Sequence, residues 1–121
     1  MPYNIIIGRN EKEQKELGMN GLIYLGKSYV KMGQTTSLSN YILLDIAKPH
    51  TILIAGKKGS GKSYSIGVMA EGMANLQEDI KKNLAILIFD TMGIFWSMKF
   101  PNERQTDLLN EWGLEPRGLD V

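Results

Sequence analysis

The sequence predicts an α/β fold in which a group of short strands comes first and a strand-helix-strand-helix series follows. Two patterns carry this expectation. Up to about residue 48 the apolar residues fall in short runs rich in branched and aromatic side chains, separated by turn signals. After residue 49, continuous apolar runs of the buried-strand type alternate with segments in which apolar residues recur every three or four positions. A glycine-rich stretch lies between the first such run and the first such segment.

Taken in order, Tyr3 to Ile7, Gly21 to Leu25, Ser28 to Met32 and Tyr41 to Ile46 read as strands. Gly26 and Lys27 read as a two-residue hairpin connection, and the charged stretch from Arg9 to Gly18 as an exposed loop. Within it, Glu11, Lys12, Glu13, Lys15 and Glu16 are most simply a solvated face. Short strands at this spacing suggest a small barrel or sheet. Pro49 stops any ladder, which sets a boundary between residues 1–48 and 49–121.

Beyond that boundary, Thr51 to Ala55 reads as a buried parallel strand. The spacing of Ile66, Met69, Met73, Leu76 and Ile80 predicts an amphipathic helix from Gly61 to about Lys82, weakened by Gly67 and Gly72. Ala85 to Phe89 is a second buried strand ending at Asp90. Glu103 to Trp112 is a second helix, with Asn102 as N-cap and Gly113 as stop. Residues 118–121 look like the opening of a third strand, so the expectation is an α/β domain truncated after its fourth element.

Composition narrows the chemistry. The 121 residues include no cysteine and one histidine, which excludes disulfide frameworks, thiolate nucleophiles, zinc fingers and clustered-histidine metal sites. The redox compartment stays open, with a lean to a cytoplasmic location. Net charge is +1, with six basic and four acidic residues up to residue 50 and eight against nine after it, so no basic field announces nucleic acid. The apolar run at Ala85 to Phe89 falls far short of the roughly 18 residues that cross a bilayer, and no membrane association is expected. His50 has no G-x-S-x-G serine to serve, so a serine-hydrolase triad is also excluded.

The glycine-rich stretch is the informative one. Gly56-Lys57-Lys58-Gly59-Ser60-Gly61-Lys62-Ser63 matches G-x-x-x-x-G-K-[ST] at every fixed position, directly after one predicted strand and directly before one predicted helix. Glycines let successive backbone N–H groups turn inward onto phosphate oxygens, and the positive end of the following helix points at the same spot. Lys62 should reach the β and γ phosphates of ATP as a point charge and act as a catalytic cation. The Ser63 hydroxyl should take one position on a Mg²⁺ that keeps most of its waters. The expected phosphate-binding residues are therefore Gly56, Gly59, Ser60, Gly61, Lys62 and Ser63, with ATP and Mg²⁺ as ligands. Lys57 raises the variant loop of MinD-like dimeric ATPase switches, although Lys58 stands where that pattern has a glycine; a small P-loop kinase is a further alternative.

Asp90 ends an apolar strand, which on an open α/β sheet places it at the carboxyl edge where ligands gather. Three roles fit it: holding Mg²⁺ through water, orienting the attacking water as a catalytic carboxylate, or capping the turn Thr91-Met92-Gly93. The nearby Phe95, Trp96, Met98 and Phe100 read as core or interface rather than as a base-stacking surface.

Together these segments resemble the HerA-like ATPases of the HerA/FtsK group. Lys48 to Gly56 running into Gly59-Ser60-Gly61-Lys62-Ser63 looks like that family's entry to its ATPase core, Ile88-Phe89-Asp90 with Gly93 like its second-strand motif, and Ile5 to Asn10 with Tyr24 to Gly33 like the tail of its N-terminal β-barrel. The resemblance implies a β-barrel portion at residues 1–48 and the opening of a RecA-like P-loop core at 49–121. It further implies a full-length DNA translocase or helicase that couples ATP hydrolysis to movement of double-stranded DNA, assembles as a homo-hexamer and works beside a NurA-type nuclease. It also offers Lys48 as a residue approaching a neighbouring subunit's nucleotide, against the simpler reading of a salt-bridged surface lysine. Ile94 departs from the acid many relatives carry after the glycine, and the family's later carboxylates and arginine finger have no counterpart in this sequence. The chain by itself is therefore expected to bind nucleotide without efficient hydrolysis.

Overall fold

The computed structural model describes residues 3–120, apart from the side chain of Met32. Met1, Pro2 and Val121 lie outside the described residues, and with Val121 the end of the third strand expected at 118–121. Two compact units are present, residues 1–84 and 85–121. The boundary expected at residue 49 falls inside the first of them.

The first unit is built on a three-stranded mixed sheet in the order β1-β3-β2, with β1 at Ile5–Ile7, β2 at Leu22–Met32 and β3 at Thr35–Asp45. β1 runs parallel to β3, pairing Ile6 with Leu43, and β2 runs antiparallel to it, pairing Ile23 with Leu44. The sheet is open and does not close into a barrel. The fold is α/β as expected, with helix α1 at Glu11–Leu17, α2 at Lys62–Ala74 and the short α3 at Glu78–Lys81.

Three local differences from the sequence expectation have physical causes. Gly26-Lys27 is not a turn: β2 runs through it as one strand, and the register against β3 slips between Tyr24 and Gly26 and again between Lys27 and Tyr29, as bulges do. The connection instead falls at Gly33-Gln34, where Gly33 adopts φ 62°, a left-handed conformation that glycine takes without steric cost. The charged stretch after Arg9 is a helix rather than a loop. Asn10 Oδ1 accepts from the Glu13 amide at 2.9 Å and a Glu13 carboxylate oxygen accepts from the Asn10 amide at 2.9 Å, a complete capping box. The helix expected to reach Lys82 ends at Ala74 and resumes at Glu78 after a break at Asn75-Leu76-Gln77.

The core is small: Leu22, Ile23, Leu43, Leu44 and Ala70 are its buried apolar residues, with Asn40 and Asp45 as buried polar members. Directly paired residues share a face, so Ile23 and Leu44 look to one side of the sheet and Leu22 and Asp45, which are also paired, to the other. α2 packs on the Ile23 side. A Cβ added at Gly72 would stand 3.0 Å from the Ile23 Cβ, so a residue expected to weaken the helix is the one that lets it approach the sheet.

Thr51 to Ala55 and Ala85 to Phe89 were expected as buried parallel strands, and neither joins a sheet. Their side chains face solvent, Leu53 at 89%, Leu87 at 79% and Phe89 at 88% exposure. A strand exists only by pairing, and no segment among the described residues supplies a ladder to either.

The second unit holds two 3₁₀ turns, Phe95–Lys99 and Glu103–Gln105, and helix α4 at Thr106–Glu111. The helix expected to begin at Glu103 thus opens one turn later, and Asn102 donates to the Gln105 side chain at 2.8 Å rather than capping it. Gly113 does stop it: with φ 70° it donates to the Asn110 carbonyl while Leu114 donates to that of Leu109 at 2.9 Å, a Schellman motif. The 118–120 segment is not a strand; the Leu119 amide donates to the Met98 carbonyl at 2.9 Å. No helix among the described residues is long and apolar enough to cross a membrane.

Candidate functional site

The segment from Gly56 to Ser63 forms a tight, exposed loop running into α2. Gly59 and Gly61 take φ 80° and 88°, a conformation that would strain any side chain and that glycine adopts without steric cost. The amide of Ser60 closes the turn on the Lys57 carbonyl at 3.2 Å. At Gly56 a Cβ would collide with the Ser60 side chain.

Gly61 is the N-cap of α2 and has no side chain to satisfy the helix's first N–H groups, and the first turn carries no acidic residue. The helix therefore presents its uncapped N–H donors and its positive end, with no acidic side chain of the first turn beside them, at the end of the loop. Lys62 Nζ donates to the Lys57 carbonyl at 2.9 Å, across the mouth of the same loop, and Ser63 in the first turn is exposed. The expected residues Gly56, Gly59, Ser60, Gly61, Lys62 and Ser63 thus lie together along one exposed turn and the first turn of α2. A cavity of about 410 Å³ has Leu25, Leu53, Ala55, Tyr64, Val68 and Met69 in its lining and none of the residues from Gly56 to Ser63.

Asp90 belongs to the second unit. Its Oδ2 accepts from the Phe95 amide at 2.8 Å and its Oδ1 from the Met92 amide at 3.2 Å, so the side chain caps the turn through Gly93 (φ 63°). This is one of the three roles the sequence allowed. Trp96 packs edge-to-face on Phe100 with centroids 5.9 Å apart, and both rings are largely exposed.

Lys48 pairs with Glu13, the simpler of its two readings, and this lysine is the main reason the Glu13 carboxyl is held below its ordinary value. What sequence reasoning missed is a buried ionic cluster on the sheet face away from α2. Arg9 donates through Nε and an Nη to Asp45 Oδ1 at 3.0 and 2.5 Å, and through its remaining N–H groups to the carbonyls of Gly18 and Asn20 and to the Gln14 side chain. All five guanidinium donors are thereby engaged. Both side chains are fully buried. Asp45 Oδ2 is taken by His50 Nε2 at 2.9 Å. Burial pushes the Asp45 carboxyl up, but His50 and Arg9 outweigh it and hold the carboxyl below its ordinary value. Arg9 and Asp45 stand 36 residues apart, and neither sits in a recognisable motif; a capped helix start right after an arginine was the one local signal.

Among the described residues no three acidic or histidine side chains cluster as metal ligands. A divalent ion at the loop would rest on Ser63, on bound phosphate oxygens and on water, which is how Mg²⁺ is commonly held in such loops.

A family model described as "Helicase HerA, central domain" matches residues 25–110, most of the chain. No curated protein and no solved structure matches it. The match covers β2 from Leu25 onward, β3, the whole glycine-rich loop, α2 and Asp90, leaves Ile5 to Asn10 outside, and gives no support to a MinD-like switch or a small kinase. The chain belongs to the HerA helicase central-domain family.

Proposed function

We propose that this chain is the ATP-binding part of a HerA-like ATPase that couples ATP hydrolysis to movement of double-stranded DNA. The observation that carries the reading is the loop itself: glycines at positive φ, a helix N-terminus with no competing acid, and a lysine whose ammonium already lies over the loop. Bound Mg·ATP supplies the phosphoryl group to be transferred and a metal charge to offset its oxygens. The residues Gly56 to Gly61 hold the phosphates through backbone N–H groups. Lys62 exchanges its bond to the Lys57 carbonyl for one to phosphate, a charge-assisted interaction stronger than the one given up. The Ser63 hydroxyl takes one Mg²⁺ position.

Asp90 belongs to the reading as a catalytic carboxylate. Each of its oxygens accepts one backbone N–H, which leaves acceptor capacity for a metal-bound or attacking water. Arg9 is not a candidate arginine finger, because its five donors are engaged in a buried cluster. Arg104 and Arg117, the other two arginines, lie in no segment that matches a finger, so slow turnover by the 121 residues alone is expected beside nucleotide binding.

In this reading residues 1–48 form the β-barrel portion and residues 49–121 open a RecA-like core. The exposed Leu53, Leu87 and Phe89 support it, since apolar side chains of this size are ordinarily covered by neighbouring strands. The full-length protein acts in the cytoplasm as a homo-hexamer on duplex DNA, with a NurA-type nuclease as partner. The test is ATP turnover by the full-length protein with and without duplex DNA. Stimulation by DNA that Lys62→Ala abolishes is expected. Stimulation only by a small acceptor molecule, or only by a membrane or partner protein, would contradict the translocase reading.

A further inference from the structure

The lead-in to the phosphate loop, residues 51–57, has no ladder bonds to hold it. Downstream of it the loop runs into α2 at Lys62, and that helix packs on Ile23. Its upstream end begins immediately after His50, whose Nε2 bonds to Oδ2 of Asp45 at 2.9 Å. The Asp45 side chain is in turn fully buried and also accepts from Arg9 and from the Ala47 amide at 3.3 Å. On its other side the imidazole lies against Gly8, close enough that a Cβ there would stand 3.0 Å from the ring.

We infer that His50 is a positioning residue for nucleotide binding: through its bond to Asp45 it fixes the start of the lead-in, and so the place from which Gly56 to Lys62 meet the phosphates. The inference rests on the nucleotide-binding reading above. A loop that must converge several N–H groups on one anion gains affinity from being held in place beforehand, and loses it when its approach is loosened. The remaining partners of Asp45 keep the sheet-side cluster intact when His50 is changed, so the effect falls on the lead-in.

The experiment is Mg·ATP titration of the chain carrying His50→Ala, His50→Gln or Lys62→Ala, with thermal unfolding of each. The expected result is wild-type binding, loss with Lys62→Ala, a weakening of roughly tenfold or more with His50→Ala, and recovery with His50→Gln, whose amide nitrogen can stand where Nε2 stands. A residue with a merely structural role would lower the unfolding midpoint and leave the affinity of the folded protein unchanged, which overturns the inference. Should His50→Ala fail to fold, His50→Asn, with an amide about one methylene short of Oδ2, replaces it; full affinity in a folded His50→Asn is equally contrary. No binding by the wild-type chain would overturn the nucleotide reading and this inference together, an outcome distinct from binding that ignores His50.

Discussion

Gly72 of α2 and Ile23 of β2 touch so closely that a methyl group on the glycine would lie 3.0 Å from the Ile23 Cβ. Ile23 is 2% exposed and its Cβ is branched close to the backbone, so it has little room to yield. Gly72→Ala therefore forgoes the gain of about 1 kcal/mol that alanine normally brings to a helix interior, and crowding makes the change destabilising by about 1–2 kcal/mol. Gly72→Val costs more. Chemical denaturation of both variants checks the order; a stabilised Gly72→Ala would show that the helix can move off the sheet without cost.

The Arg9–Asp45 pair is buried on both sides, so removing one member strands the other. Asp45→Asn and Arg9→Ala should each destabilise the chain by about 3–5 kcal/mol. Urea midpoints measure the loss, and a change within about 0.5 kcal/mol would mean the cluster is not buried in solution.

The same carboxylate sets an acid limit. Its native pKa is lowered, so its contribution is fully present above the ordinary value of 3.8 and is lost as pH falls from there through the lower native value. Glu13, lowered from 4.5, adds an effect of the same sign. The urea midpoint should fall as pH drops from about 5 to about 2.5, less steeply in Asp45→Asn than in wild type. A flat wild-type profile would contradict the assignment.

At the first helix, Asn10→Ala removes the side chain that accepts from the Glu13 amide and should cost about 1 kcal/mol, with helicity lost from α1. Circular dichroism and thermal unfolding report it; an unchanged midpoint would mean that water replaces the cap without loss.

The elements that were legible in the sequence are those whose signal is local. The phosphate loop declares itself because residue type and spacing follow from the chemistry of cradling an anion, and the stop at Gly113 because a left-handed residue is needed there. The capping box Asn10-x-x-Glu13 was equally local, but α1 lacks an apolar stripe, and periodicity alone reads such a segment as loop. Gly26 and Gly33 look alike as punctuation; cross-strand pairing, which a single strand does not reveal, makes one a bulge and the other a turn. Thr51 to Ala55 and Ala85 to Phe89 carry strand composition without a ladder, since composition states only that a segment suits pairing. The Arg9–Asp45–His50 cluster was invisible for the opposite reason: its members come together only once β1, β3 and the lead-in are in place.

The central claim is that the loop from Gly56 to Ser63 binds nucleotide phosphates, and the most direct measurement is Mg·ATP affinity of the folded chain by calorimetry, beside Lys62→Ala and Gly61→Val. Gly61 has φ 88°, so valine there should deform the loop, while alanine at Lys62 removes the ammonium and leaves the backbone intact. Saturable wild-type binding that needs Mg²⁺ for full strength is expected, weakened at least about tenfold by Lys62→Ala and abolished by Gly61→Val. Equal heats from all three folded proteins, or none from the wild type, would contradict it.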